Sequence, residues 1–480
     1  MAQPRRIIKP VSTNKDKLSR REFIGSAAAA AAAFTIVPSS VLGGPGNTPP
    51  SEKLNIAAIG CGGQGWSDIR GVSSQNIVAL CDVDDRWAKP AWEQFPNAKR
   101  YKDFRVMLET QKDIDAVTVS TPDHTHAIAA MTAMKHGKGV YVQKPLAKTI
   151  YEVRMLTEAA RKYKVATQMG IQGHANEGPR LINEWIWDGA IGPVREVHIW
   201  TDRPADVWAQ GRIPFFEMDK ANRPPDDDVW AHSIPRPNET PSVPSQLDWD
   251  LWIGTAPYRP YYPCYAPWRW RGWRDFGTGA LGDMGCHIFD SPFWALKLTH
   301  PTYVEASTTP IFSETFPIAS KIHYQFPARG DMPPVKLVWY DGGLLPDRPE
   351  ELEDGRPMGS EDGGVLYIGD KGKIMASGEN AQGPRIIPET KMQAYNRPPK
   401  SIQRSIGHYD EWLQACKGGP AALANFDYSG PLAEAVLLGN VALMVGQGKR
   451  LYWDAANMKV TNIPEANQYV RREFREGWSL

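Results

Sequence analysis

Leu54–Val72 reads LNIAAIGCGGQGWSDIRGV. A short apolar run ends at Ile59, a glycine-rich turn follows, and the turn opens into a helix. Gly60-Cys61-Gly62-Gly63-Gln64-Gly65 fits the pattern G-x-G-x-x-G directly after that strand. The first glycine, Gly60, allows the tight turn. Gly62 lets backbone approach a pyrophosphate, and Gly65 lets the helix pack close to the strand. The helix N-terminus then turns its free amides toward phosphate. Gly60, Gly62, Gly63, Gln64 and Gly65 are therefore candidate dinucleotide-binding positions.

The surroundings of the motif extend the same reading. NIVALCDVD is the next strand and ends at Asp82, roughly twenty residues beyond the glycines. A carboxylate there accepts hydrogen bonds from ribose hydroxyls and repels a 2′-phosphate, which favours NAD over NADP. Asp84 and Asp85 compete for that role, but their expected use is to cap the following helix. IDAVTVSTP, GVYVQKP and ATQMGI read as further strands, and HTHAIAAMTAMKH and TIYEVRMLTEAARKYKV as helices. Strand–helix alternation over 54–171 predicts α/β architecture, a doubly wound parallel Rossmann sheet.

Loops at the carboxyl ends of such strands line the ligand crevice. Thr121, Pro122 and His126 of STPDHTH are cofactor-site candidates on that ground. Asp123 is a candidate N-cap, and His124 and His126 read equally well as polar residues at a helix start. Lys144 stands at the end of the next strand, in VYVQKPLAKT (Val140–Thr149), on the same edge. Pro145 restricts it to extended backbone. Its ammonium can hold a substrate hydroxyl or relay a proton, and the plainer alternative is a surface turn.

After Gln172 the character changes, and 172–480 reads as a C-terminal α+β domain with a large, mainly antiparallel sheet. EGPRLINEWIWDGAIG is a helix, and VREVHIWTDRP alternates as a half-exposed strand. Residues 203–274 read as loop, dense in Pro, Trp and Tyr. YVEASTTPIF, SKIHYQF, VKLVWYDGG and GVLYIGDKGKIMAS read as antiparallel strands, followed by helices near GHYDEWLQACKG and GPLAEAVLLGNVALMVG. Within GALGDMGCHIFD, Asp283 and His287 stand four apart and share a helix face. A carboxylate beside an imidazole keeps it oriented and basic, which suits removal of a hydroxyl proton. Asp290, three further on, extends that face as a candidate substrate contact. A structural Asp–His pair is the alternative. A metal needs more ligands than these two supply, and none is expected. Trp268, Arg269, Trp270 and Arg271, in YYPCYAPWRWRGWRDFG, suit either a sugar-stacking, anion-binding wall or an interface loop.

Composition bounds the rest. The chain has 480 residues with a formal net charge of +1, and neither a basic field nor a motif points to nucleic acid. Eighteen tryptophans exceed what a core needs, so some are expected at a surface or cleft. Five cysteines without a CxxC pair argue against a disulfide framework. Ser19-Arg20-Arg21-Glu22-Phe23-Ile24 is a twin-arginine pattern, followed by an apolar run to Val37 that is short for a transmembrane span. Residues 1–43 are thus expected to be a signal for the twin-arginine export machinery, with a periplasmic or otherwise exported destination. Residues 44–53 read as a Gly/Pro linker.

The chain resembles the glucose–fructose oxidoreductase, inositol dehydrogenase and rhizopine-catabolism (Gfo/Idh/MocA) family. The likeness rests on AAIGCGGQG, STPDHTH, VQKPLA and GALGDMGCHIFD, in that order. It implies a Rossmann domain plus a largely antiparallel α/β domain whose open sheet face builds oligomers, hence a dimer or tetramer. It also implies NAD(P)-dependent redox chemistry at a sugar or cyclitol carbon, with Lys144, Asp283 and His287 as the catalytic set by position. Gln143 departs from the family's E-K-P motif. An exported enzyme meets no evident pool of free NAD, so the cofactor is expected to stay bound. The leading expectation is an oxidoreductase acting on a hydroxyl carbon of a sugar, glycoside or cyclitol. The alternatives are a redox-neutral, NAD-assisted glycosidase and a silent sugar-binding protein.

Overall fold

The structure, a computed structural model, describes residues 52–204, 240–311 and 313–480. The expected signal, the linker up to residue 51, and much of the expected loop after Arg203 lie outside them.

From Asn55 to Gly170 strand and helix alternate. The strands are β1 Asn55–Ile59, β2 Asn76–Cys81, β3 Lys99–Tyr101, β4 Ala116–Val119, β5 Gly139–Gln143 and β6 Thr167–Gly170. Between them run α1 Gln64–Gly71, α2 Asp85–Gln94, α3 Phe104–Thr110, α4 Asp123–Lys135 and α5 Ile150–Tyr163. All neighbours pair in parallel, in the order β3-β2-β1-β4-β5-β6. The order reverses beside β1, so the crevice opens between the carboxyl ends of β1 and β4. The short helices α2 and α3, which lack a long apolar stripe in the sequence, are started by Asp84 and Asp103. Each carboxylate accepts the amide two residues on, at 3.0 and 2.8 Å.

The second domain contributes α6 Glu177–Trp187, β7 Val194–Trp200, α7 Trp249–Ile253 and α8 Gly279–Ala295. Strands β8 Tyr303–Thr308, β9 Ser320–Phe326, β10 Val335–Tyr340, β11 Gly364–Gly369, β12 Gly372–Ser377 and β13 Gln382–Ile387 follow. Then come α9 Glu389–Ala394, α10 His408–Cys416, α11 Phe426–Val445, β14 Arg450–Asp454 and β15 Lys459–Val460. Strands β7 to β15 form one nine-stranded sheet, antiparallel throughout except for the parallel pair β7–β10. The fold class expected from sequence is therefore the one observed. Helix α11 begins earlier than the motif around Gly430 suggests, because the Asn425 side chain accepts from the Asp427 amide at 2.9 Å and caps it there.

One apolar core runs from α4 and α5 through α8 and α11 to the inner face of the larger sheet. Val140 and Val142 of β5, Leu281 and Cys286 of α8, and Val436 of α11 all belong to it. This continuity sets α8, which carries Asp283 and His287, against the crevice edge of the Rossmann sheet.

Candidate active site

A cleft of about 610 Å³ is lined by the glycine turn, Asp82, Ser120–Asp123, Gln143, Lys144, Trp268, Trp270, Arg271, Asp283 and His287. The glycine turn tolerates little else. Gly60 has φ +83°, and a Cβ there would fall 2.6 Å from the Ser120 carbonyl oxygen. One on Gly65 would fall 2.2 Å from the Gly60 oxygen, and one on Gly62 would fall 1.9 Å from Trp87 Cδ1. Among the described residues no side chain caps α1; the Gly65 amide donates to the Gly62 oxygen at 3.0 Å, and the helix N-terminus opens toward the cleft. This cradle of bare backbone fits a dinucleotide pyrophosphate.

Two carboxylates sit beneath the turn. Asp82 accepts the amides of Cys61 at 2.7 Å and Asp84 at 2.9 Å, and burial pushes its pKa up to about 6. Asp68 lies on α1, fully buried. Its oxygens accept from Gln64 (3.0 Å), Ser120 (2.7 Å), Tyr409 (2.8 Å) and Gln143 (3.0 and 2.9 Å). Burial raises the Asp68 pKa and those four donors oppose the rise. Gln143, the departure from the E-K-P pattern, thus has a local reason. A glutamate there would set a second carboxylate against Asp68.

The opposite wall is charged. Lys144 Nζ donates to Asp283 Oδ1 and to the Asp283 carbonyl oxygen, both at 2.7 Å. Arg271 Nε donates to the same Oδ1 at 3.2 Å, while its guanidinium lies 4.3 Å from the ring centres of both Trp268 and Trp270. Burial disfavours the Asp283 charge, but Lys144 and Arg271 outweigh it and hold the carboxyl well below its usual range. Asp283 and His287 share a face of α8, as their spacing predicts. Among the described residues no hydrogen bond joins the two; Lys144 and Arg271 both bond Asp283 at Oδ1. His287 Nδ1 is buried without a partner among the described residues. Burial, then the Lys144 charge, lowers the His287 pKa to about 3, so the imidazole is neutral at physiological pH.

Other expected residues fall differently. Thr121, Pro122 and His126 line the cleft, but His126 is a brace between loops. Its Nδ1 lies 2.8 Å from the Pro145 oxygen and its Nε2 2.8 Å from the Thr121 oxygen. Asp123 does not cap α4; it accepts the Thr278 hydroxyl from the start of α8. Arg269 is not among the lining residues, whereas its neighbours Trp268, Trp270 and Arg271 are. Asp290 is not a lining residue either. It is buried and accepts from His174 Nδ1 at 2.8 Å and the Tyr428 hydroxyl at 2.6 Å, so its carboxylate is engaged inside the second domain. The sequence reading missed Asp68, Trp87 and the strap at Gln246–Asp248. The strap zips onto the β2–α2 loop through Asp85 N to Gln246 O (3.0 Å) and Asp248 N to Val83 O (2.9 Å). Asp68 had a legible signal: with Gly65, Ile69 and Val72 it falls in the stripe by which α1 packs, where a charge is out of place.

The fold and cleft define a two-domain protein built on a dinucleotide-binding Rossmann domain. Residues 54–171 match the GFO_IDH_MocA profile, described as "Oxidoreductase family, NAD-binding Rossmann fold". Residues 230–331 match GFO_IDH_MocA_C2, "Oxidoreductase family, C-terminal alpha/beta domain". Residues 54–171 and 230–331 are therefore similar to the two domains of Gfo/Idh/MocA oxidoreductases. An inositol 2-dehydrogenase of Burkholderia multivorans is 32% identical over 151 residues, 30% of this chain and 44% of that protein. One of Salmonella typhimurium is 29% identical over 151 residues, 30% of this chain and 45% of that protein. The matched stretch thus spans less than half the length of these curated relatives. Among solved structures, the WlbA dehydrogenase of Bordetella pertussis, in complex with NADH and UDP-GlcNAcA, superposes with a TM-score of 0.56 at 16% identity. That match covers 84% of this chain and 99% of the other. The aldose-aldose oxidoreductase of Caulobacter crescentus, complexed with glycerol, gives 0.52 at 17% identity, over 83% and 99%. At these identities the two structures speak for the fold.

Proposed function

We propose that this protein is an NAD-dependent oxidoreductase acting on a hydroxyl-bearing carbon of a sugar, glycoside or cyclitol, with NAD held tightly. The observation that carries the reading is the Lys144–Asp283 pair at 2.7 Å, with His287 beside it, facing the glycine turn across one cleft. NAD, when bound, accepts hydride from the substrate carbon. Asp82 is assigned to the ribose hydroxyls, which favours NAD over NADP. Lys144 spends two donors on Asp283 and turns the third toward the substrate oxygen. His287 takes the hydroxyl proton at Nε2, the ring nitrogen left on the open side. A base this weak takes it only as hydride departs, when the developing carbonyl makes the hydroxyl strongly acidic. Trp268, exposed at the cleft, offers an apolar face to a sugar ring, whereas Trp270 is buried and Arg271, stacked on both rings, is committed to holding Asp283.

The twin-arginine pattern supports export to the periplasm, and hence a retained cofactor that is regenerated in the cycle. The strap across the β2–α2 loop favours retention by closing the Asp82 end. The larger sheet leaves Glu196, His198, His323 and Lys336 part-exposed on its outer face, which we assign to a homodimer or homotetramer contact. The test is to purify the exported protein, look for bound NAD, and add candidate glycosides without external cofactor. Persistent absorbance of reduced nicotinamide is expected. Released aglycone with no net reduction would replace this reading by the redox-neutral glycosidase. Bound NAD without turnover of any sugar would leave a binding protein.

A further inference from the structure

Asp68 is a buried carboxylate with no cation in its hydrogen-bonding shell among the described residues. Its donors are the amides of Gln64 and Gln143 and the hydroxyls of Ser120 and Tyr409. The amide nitrogens can only donate, and five contacts crowd two oxygens. Burial raises the Asp68 pKa, while the five donated contacts favour the ionised carboxylate. Asp283 across the cleft carries two cations, Lys144 and Arg271, so that cluster is net positive by one charge. Asp68 is a separate carboxylate under the cofactor wall, with neither cation bonded to it. It is one side chain below the cleft, because Ser120 and Gln143, which bond it, are themselves lining residues. Gln143 also immediately precedes Lys144, at the reacting end.

We propose that Asp68 is a positioning residue whose charge, held beneath Ser120 and Gln143, biases the site toward oxidised over reduced nicotinamide. The oxidised ring carries one more positive charge than the reduced ring. A fixed anion behind it, in a low-dielectric wall, binds the oxidised form better. The same carboxylate ties α1, the end of β4 and the end of β5 into one unit, and Tyr409 adds the loop-to-α10 segment. The consequence is a bound cofactor that gives hydride up more readily than free NADH, as a retained cofactor that must be regenerated requires. The inference rests on NAD occupying this cleft.

The experiment uses the full chain stripped of nucleotide, and titrates NAD⁺ and NADH separately by intrinsic tryptophan fluorescence. In Asp68→Asn the ratio of the two dissociation constants is expected to move about tenfold toward NADH, equal to about 30 mV for a two-electron couple. The double variant Asp68→Asn/Gln143→Glu returns a carboxylate to the pair with hydrogen-bond polarity reversed, and is expected to recover the wild-type ratio. It also carries the test if the single variant does not fold. A ratio unchanged within about twofold in the single variant, with both forms weakened equally, reduces Asp68 to a brace and overturns the proposal. So does a double variant that folds without recovering the ratio. Wild-type protein that binds neither form sinks the NAD assignment itself, a distinct result.

Discussion

The two walls of the cleft bury carboxylates in opposite ways. On the Rossmann wall, Asp68 is held by neutral amides and hydroxyls, and burial leaves its pKa raised. On the second-domain wall, Asp283 is held by Lys144 and Arg271, and its pKa is lowered despite burial. A buried ion is costly unless something opposes its charge. Direct pairing yields a compact unit of one carboxylate and two cations that can meet a substrate. Dispersed hydrogen bonding keeps the charge and spreads it over the loops that shape the cofactor site. On the proposed reading, one wall reacts and the other sets the potential of what lies on it.

The largest effect should come from breaking the paired side. Lys144→Ala leaves Asp283 with Arg271 alone and removes the donor assigned to the substrate oxygen. Turnover should fall by about 10²- to 10⁴-fold, the range for a lost acid–base partner, while NAD⁺ affinity stays within a few-fold. Steady-state kinetics beside a nucleotide titration checks both halves. Unchanged turnover would remove Lys144 from the reacting groups.

The Rossmann wall should break sterically. Gly62→Ala drives a methyl into Trp87, at 1.9 Å from Cδ1, so the indole must leave the glycine turn. NAD⁺ and NADH should both weaken about tenfold, or about 1.4 kcal/mol, with no change in their ratio. Adding Trp87→Ala should restore most of the loss, because Trp87 is part-exposed and its removal opens no core cavity. A double variant as weak as the single one would place the fault in the backbone of the turn.

These two cases also mark what the sequence discloses. The glycine turn and Asp82 were legible because a dinucleotide needs backbone conformation and a strand-end carboxylate, and both leave local signatures. Lys144 was legible from a strand-end lysine before proline, and Asp283 and His287 from helical spacing. The partnerships are legible only in part. The resemblance brings Asp283 and His287 to Lys144, and Lys144, 139 positions away, does bond Asp283; the bond from Arg271 has no signal in the sequence. Asp290 extends the same helix face, where its spacing suggests a substrate contact, yet His174 and Tyr428 claim it from segments that spacing along one helix cannot place. Local periodicity fixes which residues share an element; which side chain meets which across the core is decided by the packing of the two domains.

The smallest expected effect separates the two carboxylates by pH. The folded pKa of Asp68 is raised, so the folded chain binds its proton before the unfolded chain does. Its contribution to stability therefore grows as pH falls through that raised value toward about 3.9, the ordinary carboxyl pKa, with a slope of at most about 1.4 kcal/mol per pH unit. The folded pKa of Asp283 is depressed. Its contribution is fully present above the unfolded value of about 3.9, and is lost only as pH falls below that, through the folded value. Urea unfolding of the wild type, Asp68→Asn and Asp283→Asn at several pH values between about 7 and 4.5 isolates each term as a difference, because other titrating groups cancel. The wild type should gain on Asp68→Asn as the pH drops, while its margin over Asp283→Asn stays flat. Parallel curves for the two variants would mean that the walls hold their carboxylates alike, and the division between a reacting wall and a potential-setting wall would go with it.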